Sequence, residues 1–189
     1  MTDKVILLAA GHGMRPDGTM DNGAYNPNTH TKEHDLNLKV VTYAAHHLNK
    51  YVCQVIEDIN LLGPAHEPNW KGLMTELKRR NLKPDLVVEV HHDSYNAGKG
   101  GFGILPRTIF KTKITQLASN ISIFYTKERL PTKPSYTDVR GLGLLKSLSY
   151  PTIIWECANT IDVSEDILNK RGRAIAMGIV LLFGLAPDV

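Results

Sequence analysis

The sequence is poor in the features that mark several large classes of protein. It has two cysteines, Cys53 and Cys157, each inside an apolar, strand-like stretch, so both are expected to be free thiols rather than a disulfide. No window approaches the roughly 20 apolar residues of a membrane helix, which argues against a membrane partner. Aromatic residues make up 7% of the chain and are not interleaved with basic ones. With a net charge of only +3 and no basic stripe, a nucleic-acid partner is not expected. Repeats, linkers and low-complexity segments are missing, as is any HExxH-type metal signature. The glycine cluster from Gly98 to Gly103 lacks the strand-to-helix setting of a phosphate loop. What remains is one domain over residues 1–189, with 42% hydrophobic and 22% charged residues and enough length for a substantial core.

What the chain does have is a series of apolar strands that end abruptly in ionisable residues. In DLVVEVHHDSYN, from Asp85 to Asn96, the strand formers Leu86, Val87, Val88 and Val90 run into His91, His92 and Asp93. Lys4 to Ala10 is a first buried strand and runs into Gly11-His12-Gly13. A loop rich in Gly, Asn and Pro follows to about Thr31, long enough to suggest a functional segment. Leu36, Val40, Val41, Ala44 and Leu48 then form one helical stripe within about 32–50, with Glu33 in its first turn and His46 and His47 as structural or solvated charge in its last. A strand at Tyr51 to Ile56 and a helix at about Asn69 to Arg80 complete a β-α-β-α-β order. After it come an extended piece at Phe102 to Leu105, a helix along Ile114, Leu117, Ala118, Ile121 and Tyr125, and a short strand at Leu142 to Leu145. A strand from Thr152 to Cys157 and a closing helix of roughly Glu165 to Leu185 finish the chain. The fold class expected is α/β: a mostly parallel twisted sheet of about five or six strands with helices on both faces.

In a parallel α/β sheet, ligands bind beyond the carboxyl ends of the strands. That edge gathers His12, Glu33, Glu156 and one of His91 or His92. Strand alternation puts Glu89, His91 and Asp93 on one face and Val90 and His92 on the other, so only one of the paired histidines can serve the site. Two histidines and a carboxylate with an open fourth position are the ligand set of a hydrolytic zinc site, and a further carboxylate beside them suits general acid–base work. Spacing alone leaves the choice between His91 and His92 open. It also leaves open a plain ion pair for Glu156, with Arg140 as the partner.

The order of these motifs resembles one known family. GHG, a helix-opening glutamate with an asparagine four residues on (Glu33, Asn37), a strand ending in His-x-Asp, and Pro151 before a strand ending in Glu156 are similar, from Val5 to Phe183, to the zinc-dependent N-acetylmuramoyl-L-alanine amidases. These include bacterial cell-separation enzymes and phage endolysin catalytic domains. The resemblance implies one Zn2+ held by His12, Glu33 and His91, with Glu156 as the catalytic glutamate that activates water and protonates the leaving amine. VEVHHDS aligns with the family's SIHANS-like string, which makes His91 the ligand, places His92 at an alanine and Asp93 at an asparagine, and puts Glu89 where a serine is common. Asn159 and Asp162 match the tail of the catalytic string. The family's Asp before Pro-Gly-His is replaced by Ala9-Ala10, and Glu57-Asp58 stand where an arginine often closes the second strand.

Peptidoglycan is therefore the expected partner and the muramoyl–L-alanine amide the expected substrate bond, cut by a monomer. The alternatives are a zinc peptidase acting within the stem peptide and a bacterial autolysin or sporulation amidase. The N-terminal apolar run is too short for a signal-peptide core. The expectation is thus an endolysin made in the cytoplasm and acting on the wall after holin-type release.

Overall fold

The structure is a computed structural model that describes residues 4–15, 17–57, 70–93, 100–138, 142, 144–145, 149–159 and 164–188. Its centre is β1 (Lys4–Ala10), whose Ile6, Leu7, Leu8 and Ala9 have no exposure at all. A strand buried on both faces has to be apolar at every position rather than at alternate ones, and the stretch ILLAA from Ile6 to Ala10 meets that condition. β1 pairs in parallel with β6 (Cys53–Glu57) on one side and with β7 (Leu86–Asp93) on the other. β7 pairs in parallel with β10 (Thr152–Asn159), and β10 runs antiparallel to β8 (Phe102–Leu105). β9 (Tyr136–Thr137) closes the edge, giving the six-stranded order β6-β1-β7-β10-β8-β9.

Both faces of this sheet are covered. Ile6, Leu8 and Ala10 of β1 and Leu86, Val88 and Val90 of β7 pack with α1 (Glu33–Leu48), α3 (Lys111–Lys127) and α4 (Glu165–Phe183). The opposite residues Leu7, Val87 and Ile154 pack with Leu73 and Leu77 of α2 (Trp70–Arg79). α4 starts where the Ser164 side chain accepts a hydrogen bond from the Ile167 N–H, and it stops at Gly184, which takes a left-handed φ of 60°. His47 joins α1 to α4 through a ring nitrogen 2.9 Å from Asn169 Oδ1, the structural role expected of it. Cys53 and Cys157 are free thiols.

Two expectations need correction. Leu144 and Leu145 lie in a helical turn, not a strand, and the extra edge strand is Tyr136–Thr137. Both leucines are buried in the same cluster, which adjacent residues of a strand, pointing to opposite faces, do not manage. The segment from Met14 to Thr31 is not featureless either. It holds two small antiparallel ladders, Gly13–Met14 (β2) with Met20–Asp21 (β3) and Tyr25–Asn26 (β4) with Thr31–Lys32 (β5). Arg140 and Asp162 fall outside the described residues.

Candidate metal centre and catalytic edge

β1 and β7 deliver two histidines to the same carboxyl edge by different means. β1 ends at Ala10; Gly11 N–H still donates to the Val90 carbonyl at 2.8 Å, and the chain then turns sharply at His12, whose φ is 66°. Histidine tolerates this left-handed conformation better than most side chains do. His91 leaves β7 on the face that alternation predicts, and its ring packs directly over Gly11: a Cβ there would stand 2.2 Å from His91 Cε1. A glycine is thus required before His12 by the approach of the second histidine, which gives the GHG motif a packing reason.

Glu33 supplies the third donor. As the first residue of α1 its carboxylate sits near the helix N-terminus. Ala24, between the two ladders, anchors it: its N–H donates to Oε2 at 2.7 Å and Glu33 N–H donates to its carbonyl at 2.8 Å. Its other oxygen, Oε1, accepts from His92 N–H at 3.1 Å and faces both imidazoles. His12 Nε2 lies 3.2 Å from it and His91 Nδ1 3.0 Å. Burial works to raise the Glu33 pKa, but the two histidines overcome it and hold the group well below the usual carboxylate range. Burial likewise opposes charge on His12 and His91, and neighbouring carboxylates raise both above an ordinary histidine: Glu33 in the first case, chiefly Glu89 and Glu33 in the second.

Three donor atoms, one from each of these residues, lie within 4.8 Å of one another. Metal–ligand distances near 2.0–2.1 Å in a tetrahedron put donor atoms about 3.3 Å apart, so the 3.2 Å and 3.0 Å separations fit a zinc ion between them. Two imidazoles and one carboxylate are also a borderline-soft set suited to zinc rather than to magnesium or calcium.

Glu156 stands next to this cluster. In the β7–β10 ladder it is the register partner of His91, which places it one strand over on the same face. It is partly exposed, and its charge contributes to the raised pKa of His91. Between Glu156 and Asn159 the register shifts, and Ala158 takes a φ of 128°. Irregularities of this kind re-aim side chains at active-site edges.

His92 is not a ligand in this geometry. It points into the core side, where its Nδ1 meets Asn37 Oδ1 at 2.7 Å. Asn37 in turn donates to the Gly11 carbonyl at 3.0 Å, so one side chain, a turn after Glu33, links the ends of β1 and β7. Burial, helped by Arg171, pushes the His92 pKa well down. Sequence reasoning missed Asp21, whose Oδ1 is 3.3 Å from the outer nitrogen of His12. Burial raises its pKa, but hydrogen bonds from Gly23 N–H, Arg15 and His12 bring it down to about 2. Its only signal was an acid in a Gly/Asn-rich loop close after His12.

Residues 6–180 match the family model described as N-acetylmuramoyl-L-alanine amidase. The chain belongs to that amidase family. The catalytic domain of CwlV, an amidase from Bacillus (Paenibacillus) polymyxa var. colistinus, is 16% identical and superposes with a TM-score of 0.77 over 97% of this chain and 99% of its own. An amidase from Clostridium difficile 630 gives 17% identity and a TM-score of 0.78, over 97% of this chain and 98% of its own. The CwlD amidase of Clostridioides difficile, solved with the GerS lipoprotein, is 21% identical, with a TM-score of 0.73 over 96% of this chain and 99% of its own. These likenesses establish the amidase fold. A search of curated protein sequences returned no match.

Proposed function

We propose that the chain is a zinc-dependent amidase that hydrolyses the bond between the lactyl carbonyl of N-acetylmuramic acid and the L-alanine of the stem peptide. In this reading His12, Glu33 and His91 hold the metal and Glu156 is the general base and acid. The observation that carries it is the meeting of His12 Nε2 and His91 Nδ1 on one Glu33 oxygen, at the strand edge where Glu156 is the register partner of His91.

A bound zinc ion supplies Lewis acidity toward the amide carbonyl and lowers the pKa of water. The protein's own task is to fix donors and move protons. Glu33, locked by Ala24 and His92 backbone N–H groups, keeps both imidazoles aimed at one point. Glu156 takes a proton from the attacking water as its oxygen bonds to the carbonyl carbon. It then passes that proton to the L-alanine nitrogen as the C–N bond breaks, so the carboxylate is regenerated.

The test is metal depletion on purified peptidoglycan. The chelated protein should lose wall-solubilising activity and regain it on addition of Zn2+. Full activity in a protein from which metal has been shown to be removed would reject the reading.

A further inference from the structure

Each histidine of the cluster has a second ring nitrogen, and each of these meets a carboxylate. For His12 the partner is Asp21. For His91 it is Glu89, whose Oε1 lies 3.3 Å from Nε2. Glu89 precedes His91 by two residues on β7 and shares its face, next to the core residue Val87. Its side chain is 6% exposed, so the carboxylate is almost out of water. A polar group buried there is costly unless a hydrogen-bond partner meets it. The His91 ring edge does so.

A neutral imidazole has one N–H and one bare nitrogen, and an acceptor at one nitrogen decides which is which. With Nδ1 turned to Glu33 and Nε2 turned to Glu89, the outer carboxylate selects the form whose lone pair faces the metal position. An oxygen acceptor at Nε2 also raises the basicity of that lone pair.

We propose that Glu89 is a positioning residue of the metal centre: by accepting the Nε2–H of His91 it fixes the ring tautomer and orientation, and so sets how tightly this chain holds zinc. The inference rests on the metal reading above and concerns affinity for zinc, not the chemical step. Two variants of similar length separate the acceptor from the packing: Glu89→Gln keeps an oxygen acceptor, while Glu89→Met has none. Zinc affinity is measured by competition with a chromophoric chelator, and the melting temperature of the metal-free protein is measured alongside. Glu89→Met should bind zinc about 10–100-fold more weakly, and Glu89→Gln should recover most of that loss. A purely structural Glu89 would shift the melting temperature of the metal-free protein and leave zinc affinity unchanged in both variants, which overturns the proposal.

Should Glu89→Met fail to fold, the wild-type protein still decides. Ring 15N–1H spectra of the zinc-loaded protein should show the His91 Nε2–H held in a hydrogen bond and protected from solvent exchange; an Nε2–H that exchanges freely, or a proton on Nδ1, overturns the proposal. Failure of the wild-type protein to bind zinc at all rejects the metal reading, and this one with it. Tight wild-type binding with equally tight binding by Glu89→Met rejects only the role of Glu89.

Discussion

Replacing Gly11 by alanine adds a single methyl group, yet it should dismantle the metal centre. The added Cβ would stand 2.2 Å from His91 Cε1, 2.3 Å from Nε2 and 2.6 Å from Nδ1, where ordinary contact begins at 3.4 Å. The ring would have to retreat by about 1.2 Å at its nearest atom to restore normal contact. It has little room to do so, since Nδ1 faces Glu33 at 3.0 Å and Nε2 faces Glu89 at 3.3 Å. Nor is the backbone free to yield, because Gly11 N–H donates to Val90 and its carbonyl accepts from Asn37 and His34. Zinc sites tolerate distance errors of about 0.2 Å, several-fold less than this displacement. Gly11→Ala should therefore cost about 1–3 kcal/mol of stability through overpacking. Its zinc affinity should fall by more than the roughly 10–100-fold typical of losing an outer hydrogen-bond partner. Gly18→Ala is the control: its φ of 82° makes alanine strained, but nothing lies within 4 Å of the new Cβ. That variant should lose about 1 kcal/mol and keep zinc affinity. Isothermal titration with Zn2+ and thermal unfolding read both quantities, and a Gly11→Ala protein with wild-type zinc affinity would refute the packing argument.

Three further outcomes follow from the same geometry. His91→Ala should lose the bound metal, whereas His92→Ala should retain it and lose about 1–3 kcal/mol, because the His92 Nδ1–H bond to Asn37 is a buried structural contact; metal content and unfolding curves check both, and the reverse pattern would misplace the strand face. Glu156→Gln should keep fold and zinc but lower turnover by about 10²–10⁴-fold, and a near-wild-type rate would remove Glu156 from the mechanism. Asp85 is held below its ordinary value of 3.8: burial opposes ionisation, but hydrogen bonds from Val5 N–H and Lys4 outweigh it. A lowered native pKa means that its contribution is present above the unfolded value and is lost as pH falls through the native one. Asp85→Asn should thus cost about 1 kcal/mol at neutral pH, with the gap to wild type closing below roughly pH 4; a gap that persists at pH 2 would contradict the assignment.

How far the sequence reached depended on the kind of signal each residue carries. Apolar runs such as KVILLAA and LVVEV announce buried strands, and their abrupt ends exposed His12, His91 and Glu156 as residues at a sheet edge. Period-2 alternation alone separated His91 from His92 by face, although the choice between them needed the family pattern. The partnership of Asp21 with His12 was not legible, because strands of two residues carry no period from which their pairing could be read. Leu144 and Leu145 show a related limit, since a short apolar run reads equally as strand or helical turn until its burial is known. Glu89 was readable as an acid on the same strand face as His91, but its burial and its 3.3 Å distance to Nε2 are seen only in the structure.

The central claim is that this edge cuts one particular amide bond, and the products of wall digestion test it most directly. Purified peptidoglycan digested with the zinc-loaded protein and analysed by mass spectrometry should release intact stem peptides beginning with a free L-alanine amine, leaving glycan strands whose muramic acid carries an unsubstituted lactyl carboxylate. Fragments cut between residues of the stem peptide, with L-alanine still attached to muramic acid, would contradict the account.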